Sequence, residues 1–464
     1  MSVVRWEDTI VAIATPPGEG GLAVIRLSGP EALTIAGRIF HSSKNHAVDQ
    51  LPSQTLHFGQ IRDGNSGLLD QVLLAVFRKP HSYTGENVAE ISIHGGIGVS
   101  RLILELAIRH GARHAEPGEF TQRAFLNGRI DLTQAEAVAD LIHAKSKAAV
   151  ETAARQVAGS LSRNIRGIKE EIMRLYAHLE AYLDFPEEDI EVFGDREILG
   201  RFRTIREQLE TLAASFKRGS LLREGALVAL AGRPNVGKSS LFNALLERDR
   251  ALVSPIPGTT RDHLEEALEI QGLYIRLADT AGLAGAPKDV LDGMGIEKTR
   301  HVLSEAHTVV HVLDASEPLS EEDHRILREL SGKASVITLL NKSDLENRLD
   351  LHALRALIGD QEPIRVSAKT RQNLEVLEGR IFSAVTEGAW ISEGEALTRV
   401  RHKTAVEAAL QAMSRAETGF RAENSLEIVT IELKTALDAL RELIGEVYTE
   451  DLLDVIFSEF CIGK

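Results

Sequence analysis

The residues Ala226-Leu227-Val228-Ala229-Leu230-Ala231 are apolar without a break, and a short run of this kind reads as a strand buried on both faces. Further strand-like stretches, each carrying at least one polar residue, recur at 273–278, 308–313, 335–340 and 364–366, with helical segments between them. Strand–helix alternation from about 225 to 384 predicts a doubly wound, mainly parallel sheet. Upstream the pattern is different. Residues 9–14, 22–27, 73–77 and 88–93 read as strands of an α+β domain over 1–127. A short helix over 116–126 ends at Asn127-Gly128. Thr133-Gln134-Ala135-Glu136 then reads as a capping box, opening an alanine-rich helical tract to about 183 that stops at Phe185-Pro186. A further helix is expected over 196–217, with Ile198, Phe202, Ile205, Leu209, Leu212 and Phe216 on one stripe. Three more helices are expected over 398–418, 425–445 and 449–460.

Helices thus flank the α/β module on both sides in sequence. The pattern predicts a multidomain chain. Residues 1–127 form an α+β N-terminal domain. A discontinuous all-α helical domain comprises 128–224 and 387–464. An α/β module, 225–386, which the motifs below mark as a P-loop G domain, is inserted into it, since domain termini often lie close together.

Composition narrows the setting. Charged residues make up 26% of the 464, and no apolar run approaches the roughly 18 residues of a membrane span. The first eight residues lack a signal-peptide layout. The one cysteine, Cys461, excludes an intrachain disulfide and a four-cysteine zinc site, and a reducing cytoplasm is the simplest home. The formal net charge of −15 argues against a generic nucleic-acid coat. Any RNA contact falls to a local patch or a partner. Lys145, Lys147, Arg155, Arg163, Arg166, Lys169 and Arg174 form a basic run that is either a solvated helix face or such a contact.

The chemistry gathers at strand ends. After 226–231 comes Gly232-Arg233-Pro234-Asn235-Val236-Gly237-Lys238-Ser239, then a helix starting with Ser240. This is the strand–GxxxxGKS–helix context of a phosphate-binding loop. Backbone N–H groups close around the phosphates, Lys238 reaches the β- and γ-phosphates, and Ser239 binds Mg²⁺. The strand 273–278 ends in Asp279-Thr280-Ala281-Gly282. Asp279 is placed to hold the Mg²⁺ shell, and the Gly282 N–H to meet the γ-phosphate. Asn341-Lys342-Ser343-Asp344 follows another strand, and the Asp344 carboxylate can accept from guanine N1 and N2, which selects GTP over ATP. Ser367-Ala368-Lys369 backs the base with main-chain donors. The segment 254–262 is a switch loop whose Thr260 completes the Mg²⁺ shell. Leu283 stands where small GTPases carry a water-orienting glutamine. A monovalent cation held by Asn235 and switch-loop carbonyls is one remedy, and slow hydrolysis awaiting an activator is the other. The glycine run 18–21 is read as a tight turn, because no GK[ST] follows it. His81–Asn87 and His94-Gly95-Gly96 are loops at strand ends.

With these motifs in place the chain resembles, essentially end to end, the bacterial tRNA wobble-uridine modification GTPases of the MnmE (TrmE) family. The resemblance rests on Ala14-Thr15-Pro16-Pro17-Gly18, Gly118-Glu119-Phe120, Arg123-Ala124-Phe125-Leu126-Asn127, Asp131-Leu132 and Gln134-Ala135-Glu136-Ala137. It continues through Gly219-Ser220-Leu221-Leu222-Arg223-Glu224-Gly225, Gly258-Thr259-Thr260-Arg261-Asp262 and Phe460-Cys461-Ile462-Gly463-Lys464. It implies an N-terminal domain that binds a tetrahydrofolate derivative (5-formyl- or methylene-tetrahydrofolate) and makes a homodimer. It implies an FAD-containing MnmG/GidA-family partner in a heterotetramer, and tRNA as substrate. It implies a product that carries an aminomethyl or carboxymethylaminomethyl group on C5 of the wobble uridine. Folate contacts would fall on Arg26, Glu90, Arg129 and Lys464, although some members carry lysine at the Arg129 position. Potassium would be held by Asn235, Ser254, Ile256 and Thr259, and would switch on hydrolysis by dimerising G domains. Cys461 would be the family's C-terminal cysteine near the folate, with either a catalytic or a structural or positioning role. The family's water-orienting glutamate, counted from Gly295-Ile296-Glu297, is here Asp292, one methylene shorter. Asp292 acts through a water or a shifted loop, or Asp289 replaces it, or hydrolysis is slower. Two rivals share the G motifs or the folate site: a ribosome-assembly or signalling GTPase, and a GTP-regulated one-carbon transferase.

Overall fold

The computed structural model describes residues 7–64, 67–184, 194–249, 265–279, 301–330, 335–387, 395–422 and 426–464. These form two compact units by contact. One comprises Met1–Ala139, Gln156–Glu170 and Leu437–Lys464, and the other Asp140–Arg155 and Glu171–Ala436.

The first unit is built on a sheet. Its strands are β1 (Ile10–Ile13), β2 (Gly20–Ser28), β3 (Phe40–Ser42), β4 (Thr55–Arg62), β5 (Leu68–Phe77), β6 (Val88–Gly95) and β7 (Arg113–His114). Their spatial order is β3-β4-β5-β6-β2-β1-β7, antiparallel except for the β1–β7 pair. Alternate residues of β2, β5 and β6 (Ile25 and Leu27, Leu74 and Val76, Ile91 and Ile93) join α1 (Ala32–Ile39) and α2 (Ile97–Arg109) in one core. Period-two alternation is what lets a sheet cover one face and leave the other polar or exposed. Helix α3 (Glu119–Leu126) ends at Asn127 and at Gly128, whose φ is 67°.

The long alanine-rich tract is three helices, not one: α4 (Leu132–His143), α5 (Lys147–Val157) and α6 (Ser160–Asp184). Gly159, at φ 80°, breaks it once. Ser146 breaks it again by accepting the Ala149 N–H at 3.3 Å. The reciprocal cap of α4 is also displaced from Thr133–Glu136. Asp131 Oδ1 accepts the Gln134 N–H and Gln134 Oε1 accepts the Asp131 N–H, both at 3.1 Å. Thr133 is instead buried, its hydroxyl 2.8 Å from that of Ser162. The helix expected over 196–217 is likewise two, α7 (Asp195–Ala214) and α8 (Phe216–Glu224), parted at Ser215. The stripe from Ile198 to Leu212 is buried as expected.

The second sheet comprises β8 (Ala226–Ala231), β9 (Glu265–Ile270), β10 (Leu273–Asp279), β11 (Thr308–Asp314), β12 (Val336–Asn341) and β13 (Ile364–Arg365). The order is β13-β12-β11-β8-β10-β9, parallel but for the β9–β10 hairpin. The described helices beside it include α9 (Lys238–Asp249), α10 (Glu321–Leu330), α11 (Leu351–Ile358) and α12 (Leu374–Thr386). Strand β8 is wholly buried, and its neighbours β10 and β11 lie on opposite sides. Such a switch point opens a crevice beyond the carboxyl end of the strand. The chain closes with α13 (Val400–Arg421), α14 (Leu426–Ile444) and α15 (Glu450–Ser458). The fold is therefore multidomain: an α+β N-terminal domain, helices, and an α/β G domain. Among the described residues no helix is long and apolar enough to cross a membrane.

Candidate nucleotide site and the site beside the C-terminal tail

The phosphate loop leaves β8 through Gly232 at φ 150°, where a Cβ would stand 2.4 Å from the Val312 carbonyl oxygen. Asn235 at φ 63° and Gly237 at φ 95° turn the loop back into α9. These are backbone conformations that L side chains rarely adopt, so the loop shape is set by two glycines and an asparagine, the non-glycine residue type that best tolerates the left-handed region. Lys238 is buried, and its Nζ donates to the Gly232 and Arg233 carbonyls at 2.6 and 2.8 Å. Burial pulls its ammonium below the ordinary lysine value, and the Asp279 charge opposes that pull. Ser239 Oγ donates to Asp279 Oδ2 at 2.9 Å, so the two oxygen donors read from separate motifs converge. Val236 is buried while Asn235 and Ser240 are exposed.

The Asn341-Lys342-Ser343-Asp344 motif stands further along the same strand-end crest, where β12 ends. Asp344 Oδ1 accepts from Ser367 Oγ at 2.6 Å, and this bond is the chief reason its carboxyl lies below the usual range. Asn341 ties the two ends of the site together. Its Nδ2 donates to the Val236 carbonyl at 2.9 Å and its Oδ1 accepts the Ala368 N–H at 3.1 Å. Lys342, at φ 61°, stretches back to Asp314 at the end of β11, with Nζ 2.6 Å from Oδ2. Asp314 also accepts from the Ser316 N–H and hydroxyl. Lys369 is exposed beside Ala368. Sequence reasoning missed Asp314. Its only signal was an acidic residue closing an apolar run. Ser254, Ile256, Thr259, Thr260, Thr280, Ala281, Gly282, Asp289 and Asp292 lie outside the described residues.

A second cluster forms around Arg26 on β2. Its Nε meets Glu90 Oε1 at 2.7 Å across the β2–β6 register. Its guanidinium carbon lies 5.6 Å from the Phe120 ring centroid and 5.8 Å from that of Tyr83. The C-terminal tail is threaded against it. Ile462 bridges Pro117, the Phe120 N–H donates to the Lys464 carbonyl at 3.2 Å, and Arg26 Nη1 donates to the Gly463 carbonyl at 3.2 Å. Only glycine suits position 463, where φ is 95° and a Cβ would lie 2.4 Å from the Ile13 carbonyl oxygen. Arg26, Glu90 and the tail bearing Lys464 are thus together. Arg129 is exposed and packs its stem where a Cβ on Gly85 would stand, 3.3 Å away, in the loop that carries Tyr83. Cys461 is exposed.

Beneath this site Arg123 is wholly buried. It donates to Asp8 Oδ1 at 2.7 Å and Glu119 Oε1 at 2.9 Å, with Glu86 at 3.3 Å. The basic run is largely taken up internally. Arg166 pairs with Asp131 at 2.8 Å, Lys169 pairs with Glu446, and Arg163 donates to the Ala158 carbonyl at 2.8 Å.

Two family models match the chain. One, described as the MnmE helical domain, covers residues 132–461, and the other, described as the GTP-binding protein TrmE N-terminus, covers 9–129. Among curated proteins, the tRNA modification GTPase MnmE of Thermoanaerobacter pseudethanolicus is 45% identical over 98% of this chain and 99% of its own length. That of Desulforamulus reducens is 43% identical over 99% and 100%. That of Bacillus subtilis is 41% identical over 98% and 100%. Matched along nearly its whole length and by models of both its ends, the chain belongs to the MnmE family of tRNA modification GTPases.

Proposed function

We propose that the chain binds and hydrolyses GTP, and that this turnover drives addition of an aminomethyl or carboxymethylaminomethyl group to C5 of the wobble uridine in tRNA. The observation that carries the reading is the convergence of Lys238, Ser239 and Asp279 at one end of the strand-end crest and of Asp344, Ser367 and Ala368 at the other. Phosphates and guanine are addressed by one continuous edge.

The residues fit the groups they would hold. A serine hydroxyl and a carboxylate 2.9 Å apart are the hard oxygen donors that Mg²⁺ prefers, with Thr260 as the proposed third. Lys238 exchanges two loop carbonyls for phosphate oxygens without leaving the loop. The Asp344 carboxylate, kept ionised by Ser367, accepts two N–H bonds from guanine. Asn235, Ser254, Ile256 and Thr259 are the proposed potassium ligands, and Asp292 the residue that orients the attacking water. Around Arg26, two aromatic rings and a Glu90 carboxylate suit a flat pterin with a donor edge, which supports binding of 5-formyl- or methylene-tetrahydrofolate by Arg26, Glu90, Arg129 and Lys464. The proposed functional division is 1–127 for folate and dimerisation, 128–224 with 387–464 for the helical relay, and 225–386 for GTP. The chain works in the cytoplasm as a homodimer, in a heterotetramer with an FAD-containing MnmG/GidA-family partner.

The test is the nucleoside composition of total tRNA from cells with and without the gene. The C5-aminomethyl-type wobble uridine should vanish on deletion and return with the wild type but not with Asp279→Ala. An unchanged profile refutes the tRNA reading.

A further inference from the structure

The connection entering the G domain and the connection leaving it are tied at one carboxylate. Asp140, in the last turn of α4, is 9% exposed. Its Oδ1 accepts from Arg399 Nη2 at 2.8 Å and Arg223 Nε at 3.2 Å, and its Oδ2 accepts from Thr398 Oγ1 at 3.1 Å. Arg223 lies on the incoming side, and Thr398 and Arg399 on the outgoing one. The two connections also touch each other. A Cβ on Gly219 would stand 2.1 Å from the Leu397 carbonyl oxygen, and the Leu397 N–H donates to Ser215 Oγ at 3.1 Å. Arg218 Nη2 donates to the Glu395 carbonyl at 2.9 Å. The run Gly219–Gly225, which nucleotide chemistry leaves unused, is explained by these contacts. Gly219 admits Leu397, Arg223 reaches Asp140, and Gly225 at φ 76° makes room for Tyr274, whose Cδ1 would lie 2.4 Å from a Cβ there.

Tyr274 opens a second path to the same helical segment. Lys145 Nζ sits 4.9 Å from its ring centroid and 3.4 Å from its hydroxyl. Ala148 Cβ is 3.9 Å from where a Cβ on Gly272 would be. Tyr274 stands at the start of β10, and Asp279, which takes the Ser239 hydroxyl, stands at its end. The two are about 17 Å apart at the usual rise of a strand. β10 is paired with β8 on one side and β9 on the other, so it shifts as a stiff rod.

We propose that residues 140–148 are the seat at which the helical domain reads the nucleotide state of the G domain, with Asp140 as the positioning residue that holds both connections against it. The proposal rests on the reading above that GTP turnover drives tRNA modification. Coupling between distant sites travels through packed contacts only where motion is not lost in slack connections. Two connections fixed to one buried carboxylate move as one body. Released from it, they let the G domain change state without moving α4. None of the three Asp140 partners is among the nucleotide-site residues, so the effect of its loss is separable from GTP binding.

The experiment is amide hydrogen exchange on the full-length protein, wild type and Asp140→Ala, with GDP and with GDP plus aluminium fluoride in potassium buffer. In the wild type, exchange should differ between the two states both in the phosphate loop and in peptides over 140–157. In Asp140→Ala the difference over 140–157 should fall about tenfold, while the phosphate-loop difference and GTP turnover stay within about twofold. In cells the modified uridine should fall with it. Arg223→Met, on the more exposed side of the clamp, should show the same loss and serves if Asp140→Ala does not fold. A full difference over 140–157 in both variants, or none in the wild type, overturns the proposal. So does normal tRNA modification in a variant that has lost the difference. If deleting the gene leaves tRNA unchanged, the tRNA reading fails, and the exchange measurement still decides whether 140–148 is the relay.

Discussion

Replacing Asn341 by alanine should weaken guanine-nucleotide binding without slowing the chemical step. The side chain is 1% exposed and joins the two loops proposed above to hold opposite ends of the nucleotide. Its removal strands the buried Val236 carbonyl and the Ala368 N–H, which now pair at 2.9 and 3.1 Å. Each unpaired buried group costs about 1–3 kcal/mol, and water can reach part of this crest, so the low end of the sum, about 2 kcal/mol, is the working figure. That corresponds to about 30-fold in affinity. Asn341 touches the two loops and no catalytic group, so KM should rise while kcat stays within about threefold. Asn341→Asp should be worse than alanine. It keeps an acceptor for Ala368 but turns a carboxylate oxygen toward the Val236 carbonyl. The assay is displacement of a fluorescent GDP analogue by stopped flow, alongside steady-state hydrolysis. An unchanged off-rate in Asn341→Ala, or tighter binding by Asn341→Asp than by Asn341→Ala, would refute the reasoning.

Three other outcomes follow from the same geometry. Gly237→Ala should abolish measurable GDP binding in calorimetry, because φ is 95° and the new Cβ would lie 2.3 Å from Asn341 Nδ2; retained affinity would mean that the loop is far softer than drawn. Ser367→Ala should shift the pH profile of GDP binding. The Ser367 hydrogen bond favours the ionised Asp344 carboxyl and lowers its pKa, so binding that needs the carboxylate is lost as pH falls through that value, and without the hydroxyl the loss begins at higher pH. Superimposable profiles would remove Ser367 from guanine recognition. Arg123→Ala leaves the buried Glu119 without one of its two arginine partners and should cost about 3–5 kcal/mol, read as a lower calorimetric transition that added GDP does not raise. For Glu119, burial works to raise the carboxyl, but the Arg113 and Arg123 contacts leave it net lowered, so its contribution is present at neutral pH and is lost on acidification.

What could be read from the chain alone was whatever one segment carries by itself. The phosphate loop is such a case. Its strand, its glycines, its lysine and its serine are consecutive, so the period of the apolar run and the spacing of the motif locate it. The strands at 308–313 and 335–340 were legible for the same reason, being mostly apolar, each interrupted by two polar residues, and closed by Asp314 and Asn341. The small strands β3 and β7 were not, because three residues and two residues carry no period to detect. The breaks at 144–146 and 158–159 were hidden by alanine, a strong helix former that masks a turn made by Ser146 and Gly159. The capping box was misplaced by two residues because Asp131 competes with Thr133 for the same role, and the burial of Thr133 against Ser162 decides between them.

The residues that hold the site together were illegible for a different reason. Asn341 serves Val236, 105 positions away, and Asp140 serves Arg399, 259 positions away. Neither partner leaves a trace in local spacing, since a carboxamide or a carboxylate looks the same whether it meets solvent, ligand or a distant loop. Gly219 gave more warning than Asp140. A glycine inside a helix costs about 1 kcal/mol relative to alanine, so it calls for a packing reason, and here the reason is the Leu397 carbonyl. The same logic applies to Gly225, Gly237 and Gly463, each of which gives a close approach to Tyr274, Asn341 or Ile13. Glycines outside obvious turns therefore point to where chain crosses chain. In this protein those crossings include the connections of the G domain, the floor of the nucleotide site and the tail beside Arg26.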